Sequence, residues 1–224
     1  MPELARLFRE HPYFAPVVQN GKPYRRLDFT ARNSELLARD LSETSDFTDY
    51  VFNELLSGNS CNGVGGYGED RVIYRQRKHF TADAEKPRSI HLGIDIWTDA
   101  GTPLHAPLDG TVHSFAFNNH YGDYGPTIIL AHELAGTRFF TLYGHLSLSS
   151  LEGLEAGKVI KSGERFAEIG PYPENGHWPP HLHFQVISDI GNHHGDFPGV
   201  CHTEDRDYYL GLCPDPGLIL RIAY

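Results

Sequence analysis

The sequence predicts a mainly β fold, an antiparallel sheet preceded by a short helical N-terminal segment. Three observations carry that expectation. From Arg71 onward the chain breaks into short runs of β-branched, aromatic and aliphatic residues, punctuated by Gly, Pro, Asn and Asp, the pattern of strands joined by turns. Between those runs no long stretch has helical apolar periodicity, so crossover helices are missing and antiparallel pairing is favoured. The composition is rich in turn formers and aromatics, with 23 Gly and 15 Pro beside 12 Tyr and 13 Phe in 224 residues.

Taken in order, Leu4-Ala5-Arg6-Leu7-Phe8 reads as a short helix that stops near His11-Pro12. Residues 33–39 suit a short helix or turn. Residues 45–56 start like a helix, with Ser45 or Thr48 as cap and Val51, Leu55 and Leu56 at helical spacing. Residues 59–69, rich in Gly and Asn, read as a loop or linker. Val72-Ile73-Tyr74 is the first strand candidate and residues 90–97 the second. Leu104-His105-Ala106 leads to Asp109-Gly110, a dipeptide suited to a tight hairpin, with residues 111–117 as its return strand. Residues 127–132 and 137–143 flank Ala135-Gly136, a second hairpin signal, and residues 165–169 and 182–188 complete the set. This divides the chain into an N-terminal helical or irregular segment (1–60), a β domain (61–188) and a tail packed on it (189–224). No repeat of solenoid period is present.

Charge and composition narrow the function classes. A net charge of -10 disfavours nucleic acid or an anionic membrane surface as partner, and no apolar stretch approaches a membrane span. The opening MPELARLFREHPYF lacks the apolar centre of an export signal. As given, the chain is expected in the cytoplasm, and exported only as a processed form or a piece of a longer protein. Cys61, Cys201 and Cys213 form no regular framework, which favours free thiols, with Cys201 and Cys213 able to pair only in an oxidising compartment.

The 14 histidines are the compositional oddity. His91-Leu92-Gly93-Ile94-Asp95 and His181-Leu182-His183 together offer imidazoles and a carboxylate, the donor types that zinc prefers. On strands, His181 and His183 share a face, as do His91 and Asp95, with Gly93 between them leaving room for an ion or substrate. Pro179-Pro180 stiffens the approach to the second pair. Tyr143-Gly144-His145-Leu146-Ser147 ends a predicted hairpin strand, where His145 could act as general base or oxyanion donor. Alone, each of these has a plain reading as solvated or packed histidines.

Together the segments HLGID, YGHLS and PPHLHFQV resemble the zinc metallopeptidases of the lysostaphin and LytM type, peptidase family M23. Two further stretches, GTPLHAPLDGTVHSF and GKVIKSGERFAEIG, resemble that family's turn segments, and the five elements occur in its order across residues 71–188. The resemblance implies an antiparallel β-sheet groove of the LytM or duplicated-hybrid-motif type with zinc on its floor. It implies His91, Asp95 and His183 as ligands of one Zn²⁺ per chain. His145 and His181 then match the family's two catalytic histidines that do not bind the metal. The implied activity is zinc-dependent endopeptidase hydrolysis of peptidoglycan-like or small peptide substrates by a zinc-activated water. The alternatives are a catalytically inactive binding or regulatory module of the same fold and a phosphocarrier-like β domain. Asp95 argues against the phosphocarrier, which needs no carboxylate beside His91.

Two departures stand out. Residues 171–178, PYPENGHW, replace the Gly/Ser/Thr-rich run the family places before its last motif, and Gln185 stands where an acidic residue often follows. The first bears on substrate choice, the second on ligand tuning. The tail, ending CPDPGLILRIAY, resembles the M23-like segment of large fusions with kinase-like and class III aminotransferase domains. Among the other histidines, His105 and His113 are read as packed or exposed, His193 and His194 as a surface loop, and His177 with Trp178 as a candidate cap on the groove. His11, His79, His120, His132 and His202 carry no functional signal.

Overall fold

The computed structural model describes residues 2–58, 60–76, 80 and 87–222; His79 lies outside the described residues. The first helix, α1 (Pro2–Glu10), buries Leu4 and Phe8 one turn apart and pairs Arg6 with Glu10 on its outer face. Strand β1 (Tyr24–Leu27), the one-turn α2 (Ser34–Leu37) and α3 (Thr44–Asp49) follow, and α3 runs on into a π-helical turn over Tyr50–Leu55. Asn33 caps α2 by accepting from the Leu36 N–H. The expected caps Ser45 and Thr48 do not cap α3: Glu43 holds that position without a side-chain bond, and Thr48 bonds back to the Thr44 carbonyl.

The 59–69 stretch, expected as a loop, contains β2 (Asn62–Gly65), which pairs parallel with β1. Its glycines permit close packing rather than flexibility. A Cβ on Gly63 would lie 2.6 Å from Leu27 Cδ1, and one on Gly65 would overlap the Arg71 guanidinium. Val72, Ile73 and Tyr74 form a 3₁₀ turn (Val72–Gln76), not a strand. All three are buried in one aromatic cluster, whereas a strand would send Ile73 to the opposite face.

The remaining strands are β3 (Ile90–His91), β4 (Ile94–Trp97), β5 (Pro103–His105), β6 (Gly110–Asn118), β7 (Gly125–Leu134), β8 (Thr137–Gly144), β9 (Val159–Ile160), β10 (Arg165–Glu168), β11 (His181–Ile187) and β12 (Val200–Cys201). Helices α4 (Arg206–Leu212) and α5 (Gly217–Leu220) end the chain. Eight strands form the main sheet in the order β1-β2-β4-β11-β8-β7-β6-β9. Its pairs are antiparallel except β1 with β2, so the sheet is mixed with one parallel edge, and β6, β7 and β8 run through it as a meander. Ala135 and Gly136, both at positive φ, turn the β7–β8 hairpin. Asp109-Gly110 does not close a hairpin. β5 leaves the main sheet to pair with β10, and the Asp109 carboxylate instead accepts from the Ser162 N–H at 2.8 Å and from Lys161.

Alternation along two neighbouring strands sets up the site. Leu182, Phe184 and Val186 of β11 and Ile94 and Ile96 of β4 face one core, where Phe8 of α1 meets Phe139 edge to face. The opposite face carries His181, His183, Asp95 and Trp97. The N-terminal segment covers part of that face, packing Phe29 and Phe47 against Trp97 and Phe47 against Trp178. All three cysteines are buried free thiols. Among the described residues no helix is long and apolar enough to cross a membrane.

His132, read from sequence as carrying no signal, is buried in β7. Its Nδ1–H donates to the Asp109 carbonyl at 2.9 Å, its Nε2 meets Thr141 Oγ1 at 2.8 Å, and Thr141 bonds on to Tyr143. Burial pushes its pKa down from 6.5 to about 4. Between those values the unfolded chain binds a proton that the folded chain refuses, so stability is full above the unfolded value and falls as pH drops towards 4. The loss from this one group is on the order of 3 kcal/mol. His132→Gln, which keeps donor and acceptor but does not titrate, is expected to flatten the acid side of the stability curve measured by chemical denaturation. An unchanged slope would remove His132 from that role.

Candidate metal centre

Register brings the five candidate residues to one place. In the β11–β4 pair His183 stands opposite Asp95 and His181 opposite Trp97. In the β11–β8 pair His183 stands opposite Gly144, so His145, the next residue, emerges at the end of β8 beside them. His91 arrives from β3, which is separated from β4 by Leu92-Gly93 and pairs with β12. The expected single strand over 90–97 is therefore broken, and the break lets His91 turn towards Asp95. The space over Gly93 is not left for an ion: the His183 ring fills it, and a Cβ there would sit 2.7 Å from its Cε1 and Nε2.

The donor atoms form a near-equilateral triangle. His91 Nε2 lies 3.0 Å from His183 Nδ1, and each lies 3.1 Å from Asp95 Oδ1. His91, Asp95 and His183 are the one group of metal-ligating side chains of this kind among the described residues. Bonds of ~2.0–2.1 Å at tetrahedral angles need donor separations of roughly 3.3 Å, close to these.

Hydrogen bonds fix what each ring nitrogen can offer. His91 Nδ1–H donates to the Gly66 carbonyl at 3.0 Å, which leaves Nε2 with a bare lone pair. Gln185 donates its own amide to the Pro198 carbonyl, so its oxygen faces His183 and accepts from His183 Nε2–H at 2.9 Å. That leaves Nδ1 of His183 bare as well. Two imidazole lone pairs and a carboxylate oxygen thus converge with no hydrogen among them, an arrangement that a cation resolves. Gln185 fills the place of the acidic residue expected there, orienting the His183 ring with a neutral acceptor.

Charge points the same way. Asp95 turns its second oxygen to the guanidinium of Arg71, a wholly buried residue that also meets Glu69 Oε2 at 3.2 Å and donates to Tyr74 Oη at 3.0 Å. In direct contact, two carboxylates face one guanidinium, leaving one formal negative charge buried. Burial alone would raise the Asp95 carboxyl, but His91 and Arg71 beside it hold it well below the usual carboxylate range. Burial, reinforced by Arg71, pushes His91 down to about 3, so its ring is neutral near neutral pH.

His145 and His181 lie next to this triangle, their rings 4.2 Å apart. His181 stacks on Trp97 at 4.0 Å and donates from Nδ1 to the Pro179 carbonyl at 2.8 Å. His145 sits at φ 62, a left-handed backbone rare outside glycine, held by its N–H to the Tyr124 carbonyl and by its carbonyl to the Gly170 N–H. Its Nδ1–H donates to the Asn175 carbonyl at 2.8 Å. In both residues Nε2 is the nitrogen left over in a cleft they line. Burial pushes His181 down to about 4, and burial with the neighbouring His181 holds His145 well below its ordinary value.

Trp178 lines the same cleft, while His177, at positive φ, packs against Tyr121 and Tyr172. His113 and His194 stack on each other away from the centre. Sequence reasoning missed Arg71, Glu69, Tyr74 and Tyr124. The one available signal was an arginine beside a buried apolar triplet, and it is intelligible only once Asp95 is placed next to it.

Residues 89–194 match the profile of Peptidase family M23, so the match begins later than the resemblance read from residue 71. An uncharacterised metalloprotease of Haemophilus influenzae is 36% identical over 109 residues, which are 49% of this chain and 20% of that protein. The L-Ala–D-Glu endopeptidase of Bacillus subtilis is 25% identical over 127 residues, 54% of this chain and 37% of that protein. The chain thus spans well under half the length of either curated relative. The catalytic domain of lysostaphin from Staphylococcus simulans aligns with a TM-score of 0.46 and 22% identity, covering 70% of this chain and 90% of that one. His91, Asp95, His145, His181 and His183 all fall within the matched segment, residues 89–194, which is similar to peptidase family M23.

Proposed function

We propose that the chain is a zinc-dependent metallopeptidase, with His91, Asp95 and His183 holding one Zn²⁺ and His145 and His181 as its catalytic bases and donors. The observation that carries this is the meeting of three bare donor atoms, 3.0 to 3.1 Å apart, on rings whose tautomers are fixed from behind. When bound, the ion supplies Lewis acidity and a water that ionises near neutral pH.

The chain's own part is proton handling and orientation. With Nδ1–H committed to carbonyls, His145 and His181 present a neutral Nε2 that takes a proton from the nucleophile and returns it to the departing amine. Once protonated, the same nitrogen donates to the developing oxyanion. The reacting bond is a peptide amide; peptidoglycan-like and small peptide substrates both satisfy the chemistry. No nucleic acid or membrane surface is proposed as partner.

Elemental analysis of purified protein is expected to give about one zinc per chain, and His91→Ala, Asp95→Ala or His183→Ala to abolish stoichiometric uptake. Wild-type metal content in those variants would sink the assignment. His145→Ala and His181→Ala should retain zinc and lose about 10²-fold or more in kcat on a cleaved peptide; a variant with full rate is not catalytic. Arg71→Met should weaken zinc binding roughly 10- to 100-fold in competition with a chelator, because Asp95 loses the partner that fixes its orientation. Unchanged zinc affinity in folded Arg71→Met protein would make the ion pair purely structural.

A further inference from the structure

His145 presents a bare Nε2 because its Nδ1–H is held by the Asn175 carbonyl at 2.8 Å. That carbonyl does not come from a strand. It lies in the connection from β10 to β11, and a loop fixes a ring well only if something fixes the loop.

The side chain of Asn175 does so. It is fully buried, although Pro171, Tyr172 and Pro173 of the same loop are exposed. Its amide nitrogen donates to the Gly170 carbonyl at 3.2 Å and to the Trp178 carbonyl at 2.9 Å, and its oxygen accepts from the Trp178 N–H at 3.2 Å. Two of these partners are carbonyls, which only accept, so the amide has one orientation. One side chain thus joins residue 170 to residue 178, with both hydrogens and the oxygen in use. Aspartate would lose both donors, and alanine would leave all three main-chain partners unpaired.

The clasp reaches His145 by two routes. Gly170, held at its carbonyl, gives its N–H to the His145 carbonyl at 2.9 Å, and the Asn175 carbonyl takes the His145 ring. The next residue, Gly176, sits at positive φ against residues 122–123. Its carbonyl accepts from the Gly122 N–H at 3.0 Å, and a Cβ on it would lie 1.8 Å from the Asp123 carbonyl oxygen. His145 is therefore gripped at ring and backbone by two residues that Asn175 locks together, in a left-handed conformation that needs such support.

We propose that Asn175 is a positioning residue: by clasping residues 170 and 178 it holds its own carbonyl on His145 and keeps the bare Nε2 of that ring facing the cleft. The proton-transfer role of His145 rests on the metallopeptidase reading above; the tautomer does not.

The test uses the zinc-loaded full chain with ¹⁵N-labelled histidine. Above neutral pH, long-range ¹H–¹⁵N spectra of the wild type should show His145 protonated at Nδ1. In Asn175→Ala that pattern should move to a mixture of tautomers. His91 and His132, held by the Gly66 and Asp109 carbonyls, should keep theirs, and zinc content should stay at the wild-type value. On a cleaved peptide, kcat should fall about tenfold or more. Combining Asn175→Ala with His145→Ala should lower kcat no further than His145→Ala alone, because one acts through the other. Should Asn175→Ala not fold, Asn175→Ser, which keeps a single donor and acceptor, carries the same expectations. Unchanged His145 signals, a shift shared by His91 and His132, loss of zinc, or losses that multiply in the double variant would each overturn the proposal. A wild type that binds zinc but hydrolyses no peptide would sink the metallopeptidase reading instead, and the His145 spectra would still decide the role of Asn175.

Discussion

The structure turns on one cross-strand pair, His183 of β11 opposite Asp95 of β4. A slip of β11 by one residue would send His183 into the apolar core and bring Leu182 or Phe184 to the cleft. The register is held by that apolar set, because Ile94, Ile96, Leu182, Phe184 and Val186 must all stay inside together. Hydrophobic burial therefore positions polar chemistry it never touches. The same logic explains the glycines at the pair: Gly93 gives way to the His183 ring, and Gly144, opposite His183, to Tyr124.

Around the pair, the protein accepts an arrangement that is poor for stability. Arg71, Glu69 and Asp95 are buried together, and bringing such charges out of water costs more than their mutual attraction reliably returns. Apolar residues of the same volume would do as well for folding. What they would not do is hold one carboxylate oxygen towards two bare imidazole nitrogens while the other is tied down. The cost is understandable as the price of geometry, and it falls on the residues that the metal reading requires to be fixed.

Much of this was legible in sequence because it is encoded by periodicity and short motifs. Most strands from residue 103 to 188, though not β9, follow from short β-favouring runs bounded by turn residues, and the convergence of His91, Asp95, His145, His181 and His183 follows from motif order. The failures share a cause. Residues 62–65 read as a loop because their glycines signal flexibility, whereas here they permit close approach of Leu27 and Arg71. Val72, Ile73 and Tyr74 read as a strand because β-branched residues favour one, but their burial in a single cluster required a helical turn. Asp109-Gly110 read as a hairpin because local turn chemistry cannot say which strand its neighbours will pair with. Arg71 was invisible because its meaning lies in a contact made 24 residues away.

Those missed pieces are connected. The Gly66 carbonyl sets the tautomer of His91, Glu69 and Arg71 set the orientation of Asp95, and Tyr74 and Phe80 shape what can reach them. All precede the matched segment. On the other side, Pro198 fixes the amide of Gln185 and through it the tautomer of His183, from beyond the segment's end. The matched segment thus brings the donor atoms, and flanking residues decide their protonation, their aim and their access. A family motif marks the donor residues, but the state in which they stand ready is written outside it.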